Sequence, residues 1–343
     1  MKVAVYSARR YDVKLLAQAN VAHGHELVFV QDALSAATVP LAAGCGAVCV
    51  FVNDQVDEAV LAQLARLGVG LVTTRSTGFN HIDALAAQRH GIATARVSDY
   101  SPYSVAEFAV GLLIAVNRRI ARASQRTRDG NFELDGLMGF DLHGRTVGVV
   151  GTGKIGRIFG RIMAGFGCRI LGFDPFPHAD FLAQGGTYTD LPALLAESDV
   201  VSLHCPLTPQ TQHLIDAAAL QRIKPGALLV NTSRGGLVDT EAAIAALKSA
   251  RLSGLAIDVY EQEADLFFQD LSATVITDDV IQRLVSFPNV IVTGHQAFFT
   301  EEAIGQIMAA TLDNISAFER GAPLPNPIPS QLRPPPGVAN GVA

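Results

Sequence analysis

The sequence predicts an α/β protein of two doubly wound parallel-sheet domains with a cleft between them. Three observations support this fold class. Short apolar runs alternate with segments of helical periodicity, the alternation occurs twice along the chain, and a glycine-rich turn follows a strand in the second half. At 343 residues, 49% of them hydrophobic and only 17% charged, the chain suits two large cores better than one.

The first hundred residues contain five candidate strands, at 3–6, 26–30, 47–50, 70–73 and 93–97, with helical segments at 56–67 and 83–90. Short apolar strands linked by helices form a parallel sheet covered on both faces. Residues 1–100 are therefore predicted to form a flavodoxin-like substrate domain. It would also include residues 299–330, because a long helix at 301–319 can return to it. The proline- and glycine-rich tail, 331–343, is predicted to be loose.

Residues 101–298 are predicted to form the second domain, a Rossmann dinucleotide-binding fold. Its candidate strands are 146–150, 169–173, 199–203, 227–231, 254–258 and 290–293. The domain opens with a predicted helix at 104–121 that is apolar around most of its circumference. Such a helix is buried either in its own domain or against another subunit. The second alternative favours a homodimer or homotetramer.

Composition excludes several classes of partner and ligand. The net charge of −6, with acids and bases interspersed, provides no basic face for nucleic acid, and no apolar run reaches the roughly 18 residues of a membrane span. Cys45 and Cys49 lie in or next to a predicted buried strand, and no second Cys/His pair occurs at zinc spacing. We therefore expect no metal, reduced thiols and a cytoplasmic protein.

A glycine motif with its full structural context predicts a dinucleotide site. Gly151, Gly153 and Gly156 follow the apolar run TVGVV and open a helical segment, and Asp174 ends the next predicted strand. In this arrangement the glycines permit a tight turn and close approach of the pyrophosphate, which the helix N-terminus attracts. The carboxylate accepts the ribose hydroxyls and repels a 2′-phosphate, which favours NAD over NADP.

Three later strands of this domain run directly into polar residues. Arg234 follows 227–231, Glu261 and Glu263 follow 254–258, and His295 follows 290–293. The carboxyl ends of parallel strands face one crevice, so these side chains are expected beside the nicotinamide. An arginine can bind a carboxylate bidentately, a histidine can donate a proton near neutral pH, and a carboxylate can orient it. Reduction of a 2-keto acid needs this set.

The motifs GTGKIG, FDPFP, SLHCPLT, NTSRGGLVD, AIDVYEQE and TGHQAF occur in an order that resembles the D-isomer-specific 2-hydroxyacid dehydrogenases. The segment ADLFFQDLSATVITDDVIQRL, between glutamate and histidine, resembles the bacterial fermentative D-lactate dehydrogenases within that family. The resemblance covers about residues 1–328. It implies a substrate-binding Arg234, a carboxylate at Glu263 and an acid/base at His295; from the residues alone, Glu261 remains a competitor for Glu263.

The resemblance also implies residues around the substrate and the cofactor. Substrate-binding positions would be the backbone at Thr77 and Gly78, with the side chains of Tyr100 and Phe298. Cofactor-binding positions, besides the glycines and Asp174, would be Lys154, Ile155, His204, Cys205, Pro206, Thr232, Ser233 and Asp258.

The expected reaction is reversible hydride transfer between NADH and pyruvate, giving D-lactate, with a fermentative role. A broader 2-keto-acid reductase, acting on phenylpyruvate, hydroxypyruvate or branched chains, is the alternative within the enzyme class. A nicotinamide-sensing scaffold is the alternative from another class.

Overall fold

The computed structural model describes residues 1–263 and 266–329, which form two compact units. The first contains Met1–Ser101 and the chain from Thr300 onward, and the second is Pro102–Phe299. Each boundary lies one residue from the division expected from the sequence. The tail predicted to be loose, 331–343, lies outside the described residues.

The first unit has a five-stranded parallel sheet in the order β2-β1-β3-β4-β5. Its strands are β1 (Lys2–Val5), β2 (Glu26–Phe29), β3 (Ala47–Val50), β4 (Leu71–Thr74) and β5 (Ala93–Ala95). Its helices are α1 (Arg10–Ala19), α2 (Glu58–Arg66), α3 (Ala84–Arg89) and the last helix of the chain, α12 (Glu301–Glu319). As predicted, α12 returns to this unit, where it packs on α1 and β4.

The second unit has a seven-stranded parallel sheet in the order β12-β11-β10-β9-β6-β7-β8. The strands are β6 (Thr146–Val150), β7 (Arg169–Phe173), β8 (Thr187–Tyr188), β9 (Val200–Leu203), β10 (Ala227–Asn231), β11 (Leu252–Ile257) and β12 (Val290–Val292). The sequence did not predict β8, since two residues carry no periodicity. The helices are α4 (Pro102–Asn117), α5 (Ile120–Arg128), α6 (Lys154–Gly165), α7 (Ala179–Ala183), α8 (Leu191–Glu197), α9 (Ala217–Arg222), α10 (Thr240–Lys248) and α11 (Asp279–Ser286).

The single helix predicted at 104–121 is wrong in its extent. The structure has two helices, because Arg119 adopts a left-handed conformation with φ of 52° and ends the regular path of α4 before α5 begins. The apolar surface of α4 packs on α6, β10 and β11 of its own unit. The alternative that this helix is buried against another subunit is therefore not needed to explain its composition.

The central strands of the second unit are buried on both faces, which explains their continuous apolar sequences. All residues of β6, β9 and β10 are buried. Polar chemistry can therefore collect only where these strands end. Across the described ranges, no helix is both long and apolar enough to cross a membrane.

Candidate active site

The turn between β6 and α6 requires glycine at two positions. Gly151 has φ of 92°, and a Cβ there would lie 2.6 Å from the backbone nitrogen of Cys205; a Cβ on Gly156 would lie 2.0 Å from the carbonyl oxygen of Gly151. Gly153, which caps α6, is exposed and faces open space. Among the described residues no side chain forms a cap hydrogen bond at the start of this helix, and a helix N-terminus attracts an anion.

Asp174 is held just beyond the end of β7 and next to the glycine turn. Its Oδ2 accepts a hydrogen bond from the Thr152 backbone nitrogen at 2.7 Å, and its Oδ1 accepts one from the Phe176 nitrogen at 2.9 Å. The carboxylate is thus fixed where a ribose would follow a pyrophosphate bound at α6. The open cradle at Gly153 and this fixed acid fit a dinucleotide.

His295 and Glu263 form a hydrogen-bonded pair at the ends of β12 and β11. His295 Nδ1 lies 2.9 Å from Glu263 Oε1, and both side chains keep about a fifth of their surface exposed. The backbone nitrogen of Tyr260 donates to Glu263 Oε2 at 3.1 Å, which fixes the carboxylate from its other side. In the part of the chain that the structure describes, the Nε2 atom of His295 has no hydrogen-bond partner, so a ligand or solvent can bind there. This is the arrangement of a general acid oriented by a carboxylate.

Two aromatic rings flank the imidazole of His295. The Phe298 ring centroid lies 6.4 Å away at an edge-on angle, and that of Phe268 lies 5.7 Å away. The sequence identified Phe298 but missed Phe268, since Phe268 lies in an irregular loop whose path no periodicity reveals. The surroundings of the acid are therefore apolar on these sides.

Asp258 organises the turn that carries His295. Its buried carboxylate accepts from the backbone nitrogens of Gln296 and Ala297 at 2.9 and 2.8 Å and from the Thr293 hydroxyl, and its carbonyl oxygen accepts from the His295 nitrogen at 2.7 Å. Burial raises the pKa of Asp258, which these hydrogen bonds oppose. The turn holds His295 at φ of 53°, a conformation rare outside glycine. The visible role of Asp258 is structural, and the predicted cofactor contact stays a prediction.

Arg234 lies in a constrained turn after β10. Asn231 Nδ2 donates to the Arg234 carbonyl at 2.9 Å, and its Oδ1 accepts from the Ser233 nitrogen at 3.0 Å, so the strand end itself shapes the turn. The Arg234 guanidinium donates to the Ser233 carbonyl at 2.6 Å. Among the residues that the structure describes, no carboxylate forms an ion pair with Arg234. Its charge is thus available to an anionic ligand.

His204 and Cys205 follow β9, and neither is suited to acid–base work. His204 Nε2 lies 2.9 Å from the Ser202 hydroxyl, and its ring packs 4.9 Å from that of Phe159. Burial lowers the pKa of His204 to about 3 and raises that of Cys205 to about 11. Both groups are therefore neutral at physiological pH. Ser233 Oγ donates to the Cys205 carbonyl at 2.6 Å, which connects this loop to the Arg234 turn.

The loop after β4 in the first unit carries the predicted carboxylate-binding backbone. The Ser76 hydroxyl donates to the Gly78 carbonyl at 2.7 Å, and Arg96 Nη1 donates to the Thr77 carbonyl at 3.1 Å. The loop begins at the buried Arg75, whose Nε lies 3.3 Å from Asp12 Oδ1. Tyr100 is partly buried in the same unit. These hydrogen bonds hold the carbonyl groups of Thr77 and Gly78 in place. The direction of the N–H groups of the two residues is set by the backbone conformation of the turn.

The structure separates the two candidate glutamates. Glu263 pairs with His295, whereas Glu261 Oε1 lies 2.5 Å from His213 Nε2. Within the described part of the chain, no cluster of histidine, cysteine or acidic side chains has the arrangement of a metal site. The four cysteines are free thiols.

Comparisons of the sequence and of the structure with known proteins indicate the same family. Residues 110–297 match the model of the D-isomer specific 2-hydroxyacid dehydrogenase NAD binding domain. The chain is 52% identical to D-lactate dehydrogenase of Escherichia coli over 95% of its own length and 99% of that protein. The apo-structure of D-lactate dehydrogenase from Escherichia coli superposes with a TM-score of 0.88 at 49% identity, covering 96% of this chain and 100% of that one.

A third relative, described as the pyruvate reductase of Chlamydomonas reinhardtii, superposes with a TM-score of 0.90 at 40% identity and covers 95% of this chain and 98% of its own. With a dinucleotide cradle and an acid–carboxylate pair on one sheet, the class of protein is a nicotinamide-dependent oxidoreductase. The chain belongs to the D-isomer-specific 2-hydroxyacid dehydrogenase family, as the sequence motifs predicted.

Proposed function

We propose that this chain is an NAD-dependent D-lactate dehydrogenase that interconverts pyruvate and D-lactate. The observation that carries the proposal is the His295–Glu263 pair, 2.9 Å apart, on the same sheet as an Arg234 that has no ion-pair partner among the described residues. A protein that is 52% identical over nearly its whole length bears the name D-lactate dehydrogenase. The first finding is geometric and the second is sequence identity, and both support the same chemistry.

The proposed division of labour follows from the side chains. Arg234 binds the substrate carboxylate bidentately and polarises the neighbouring carbonyl. His295, protonated and oriented through Nδ1 by Glu263, donates a proton from Nε2 to the carbonyl oxygen as it is reduced. The backbone at Thr77 and Gly78 and the side chains of Tyr100 and Phe298 are further substrate contacts. The bound nicotinamide supplies the hydride. In the reverse reaction, the oxidation of D-lactate, His295 is the base that accepts the proton.

NAD is the proposed cofactor, in preference to NADP. Gly151, Gly153 and Gly156 form the pyrophosphate cradle with the N–H groups at Lys154 and Ile155. Asp174 would accept the adenosine ribose hydroxyls, and its charge would repel a 2′-phosphate. His204, Cys205, Pro206, Thr232, Ser233 and Asp258 are proposed neighbours of the nicotinamide half.

The rival substrates are larger 2-keto acids. The rings of Phe268 and Phe298 beside His295 favour a small substrate, because each takes up space that a bulky side chain would need. NADH oxidation should be measured with pyruvate, glyoxylate, hydroxypyruvate, 2-ketobutyrate and phenylpyruvate, with NADPH as a cofactor control. Pyruvate should give the highest kcat/KM. A higher value for phenylpyruvate would replace the substrate and leave the mechanism intact; turnover with none of them would reject the proposal.

A homo-oligomer remains part of the proposal, with a new basis. Phe132, Leu134 and Met138 are 76%, 82% and 91% exposed in an irregular segment of the second unit. Three large apolar side chains this close in sequence are costly in water unless another surface covers them. Light scattering should give a dimer or tetramer for the wild type and a smaller species for Leu134→Asp. A monomeric wild type would reject the assignment.

A further inference from the structure

A second histidine–carboxylate pair lies two residues from the proposed catalytic one. His213 Nε2 lies 2.5 Å from Glu261 Oε1, and Glu261 Oε2 lies 3.4 Å from the Thr240 hydroxyl. The sequence assigned no role to His213 and treated Glu261 only as a competitor for Glu263. Neither residue belongs to the proposed catalytic set, but Glu261 lies on the segment that carries Glu263, and the His213 backbone contacts the turn that follows Arg234.

The backbone of the His213 segment is fixed against the turn that follows Arg234. The His213 nitrogen donates to the Gly236 carbonyl at 2.8 Å, and Ile215 forms a parallel bridge with Val238. His213 itself has φ of 50°, a strained conformation for this residue type. Its side chain is therefore held by a backbone that has little freedom to move.

The same turn packs tightly on the segment that carries the glutamates. A Cβ on Gly235 would lie 2.1 Å from the carbonyl carbon of Tyr260 and 2.4 Å from the nitrogen of Glu261. The turn after Arg234 is thus enclosed by the His213 segment and by Tyr260–Glu261. The side-chain bond from His213 to Glu261 connects the two outer segments across it. The two segments joined by this bond therefore adjoin the turn that follows Arg234 and the segment that carries Glu263.

The charges around His213 are all of one sign. Glu261 contacts it directly, and Asp239 and Asp216 lie near enough to favour the imidazolium; Gln212, its neighbour in the chain, is neutral. The hydrogen bond to Glu261, followed by these carboxylates, raises the pKa of His213. The bond is charge-assisted while the imidazole is protonated, and it weakens when the imidazolium loses its proton as pH rises.

We propose that His213 and Glu261 form a positioning pair, which holds the Arg234 turn and the Tyr260–Glu263 segment in the register that aligns Glu263 with His295. The inference rests on the proposed function for its kinetic test but not for its spectroscopic one. Glu263 needs such support because, among residues 1–263 and 266–329, the hydrogen bond to its Oε2 comes from the Tyr260 nitrogen, and Tyr260 is adjacent to Glu261. Displacements of about 1 Å in such a group can cost on the order of 100-fold in rate.

The kinetic test uses the full chain with His213→Gln, Glu261→Gln and the double variant. Each single variant should lower kcat for pyruvate about tenfold and leave the Kd for NADH, from fluorescence quenching, unchanged. The double variant should lose no more than either single one, because both remove the same bond. The decline of kcat at alkaline pH should be shallower in His213→Gln than in the wild type, because the variant lacks the His213–Glu261 bond, whereas proton delivery by His295 remains in both proteins. The matched control is His90→Gln, which breaks a similar surface pair with Glu58 in the first unit and should change nothing.

The spectroscopic test is independent of turnover. The His295 Nδ1 proton, hydrogen-bonded to Glu263, should give a downfield proton resonance that is lost in Glu263→Gln. That resonance should shift or broaden in Glu261→Gln and remain in His90→Gln. An unchanged resonance together with unchanged kcat in both single variants, or losses that multiply in the double variant, would overturn the positioning role. A wild type without turnover but with a resonance sensitive to Glu261→Gln would reject the proposed reaction and retain the pair. If Glu261→Gln fails to fold, His213→Gln, whose side chain is more exposed, carries both readouts.

Discussion

His295 Nδ1 lies 2.9 Å from Glu263 Oε1, although the two residues are 32 positions apart in the chain. The contact forms because β11 and β12 are parallel neighbours whose carboxyl ends reach the same edge of the sheet. In addition, the buried carboxylate of Asp258 fixes the turn from which His295 extends. The order of the strands therefore determines the distance between His295 and Glu263, and the proposed proton transfer depends on that distance.

His295→Gln should lower kcat for pyruvate reduction by about 10²–10⁴-fold, because glutamine cannot supply the proton. Glu263→Gln should have a smaller effect, since the imidazole remains but loses its orientation. Reduction consumes a proton that His295 delivers, so a rise in pH should slow reduction by the wild type relative to lactate oxidation. Single-turnover rates of wild type and variant, measured over a range of pH, follow the chemical step directly. If the rate of the chemical step had the same pH profile in the wild type and in His295→Gln, the role of His295 as proton donor would be contradicted.

Arg234→Lys should raise KM for pyruvate and lower kcat/KM by about 100-fold, although the charge is kept. A lysine cannot form the two parallel hydrogen bonds of a guanidinium to a carboxylate, so the geometry at the carbonyl is lost. Steady-state kinetics with oxamate inhibition check this, with Arg222→Lys on the exposed end of α9 as the control. Equal KM values for Arg234→Lys and Arg222→Lys would contradict the proposal that Arg234 binds the substrate.

Gly153→Ala and Gly156→Ala should separate cofactor binding from folding. At Gly153 a Cβ would face open space, so the variant should keep its melting temperature and bind NADH about tenfold more weakly. At Gly156 a Cβ would lie 2.0 Å from the Gly151 carbonyl oxygen, so the variant should lose several degrees of Tm or fail to fold. Thermal melts with and without NADH measure both effects. If a stable Gly153→Ala protein bound NADH with the affinity of the wild type, the pyrophosphate would not bind at the Gly153 turn.

His204 should make the protein less stable as pH falls below about 6.5, the ordinary pKa of histidine. Burial lowers its pKa in the folded state to about 3, so the unfolded chain takes up a proton that the folded one refuses. The loss begins at the unfolded pKa, continues down to the folded one, and has a slope of at most about 1.4 kcal/mol per pH unit. Denaturant unfolding between pH 7 and 4 should show a shallower slope in His204→Gln than in the wild type. The exposed His178→Gln should keep the slope of the wild type, and equal slopes in all three proteins would contradict the assignment.

The glycine turn and the strand ends could be predicted because their signals are local. A strand, a glycine turn and a helix follow one another within residues 146–165, and the structure places them there within a residue. The positions of Arg234 and His295 after their strands are equally local. The sequence also predicted a helix at about 301–319, and α12 extends from Glu301 to Glu319.

Some predictions failed or stayed open because they depend on contacts distant in sequence. The helix expected at 104–121 breaks at Arg119, whose left-handed conformation is accompanied by a hydrogen bond to the Ser253 carbonyl, 134 residues away. Phe268 was missed because an irregular loop carries it to His295.

By itself the sequence determined the fold class, the family and the types of side chain available for the chemistry, since apolar periodicity and short motifs encode these locally. Only the tertiary structure decided which glutamate serves His295 and which serves His213. The two glutamates are separated by one residue and are chemically identical. The physical reason is that their partners come from different strand ends, β12 for Glu263 and the loop after β9 for Glu261. Strand order, a property of the whole sheet, places those partners on different sides of one short segment.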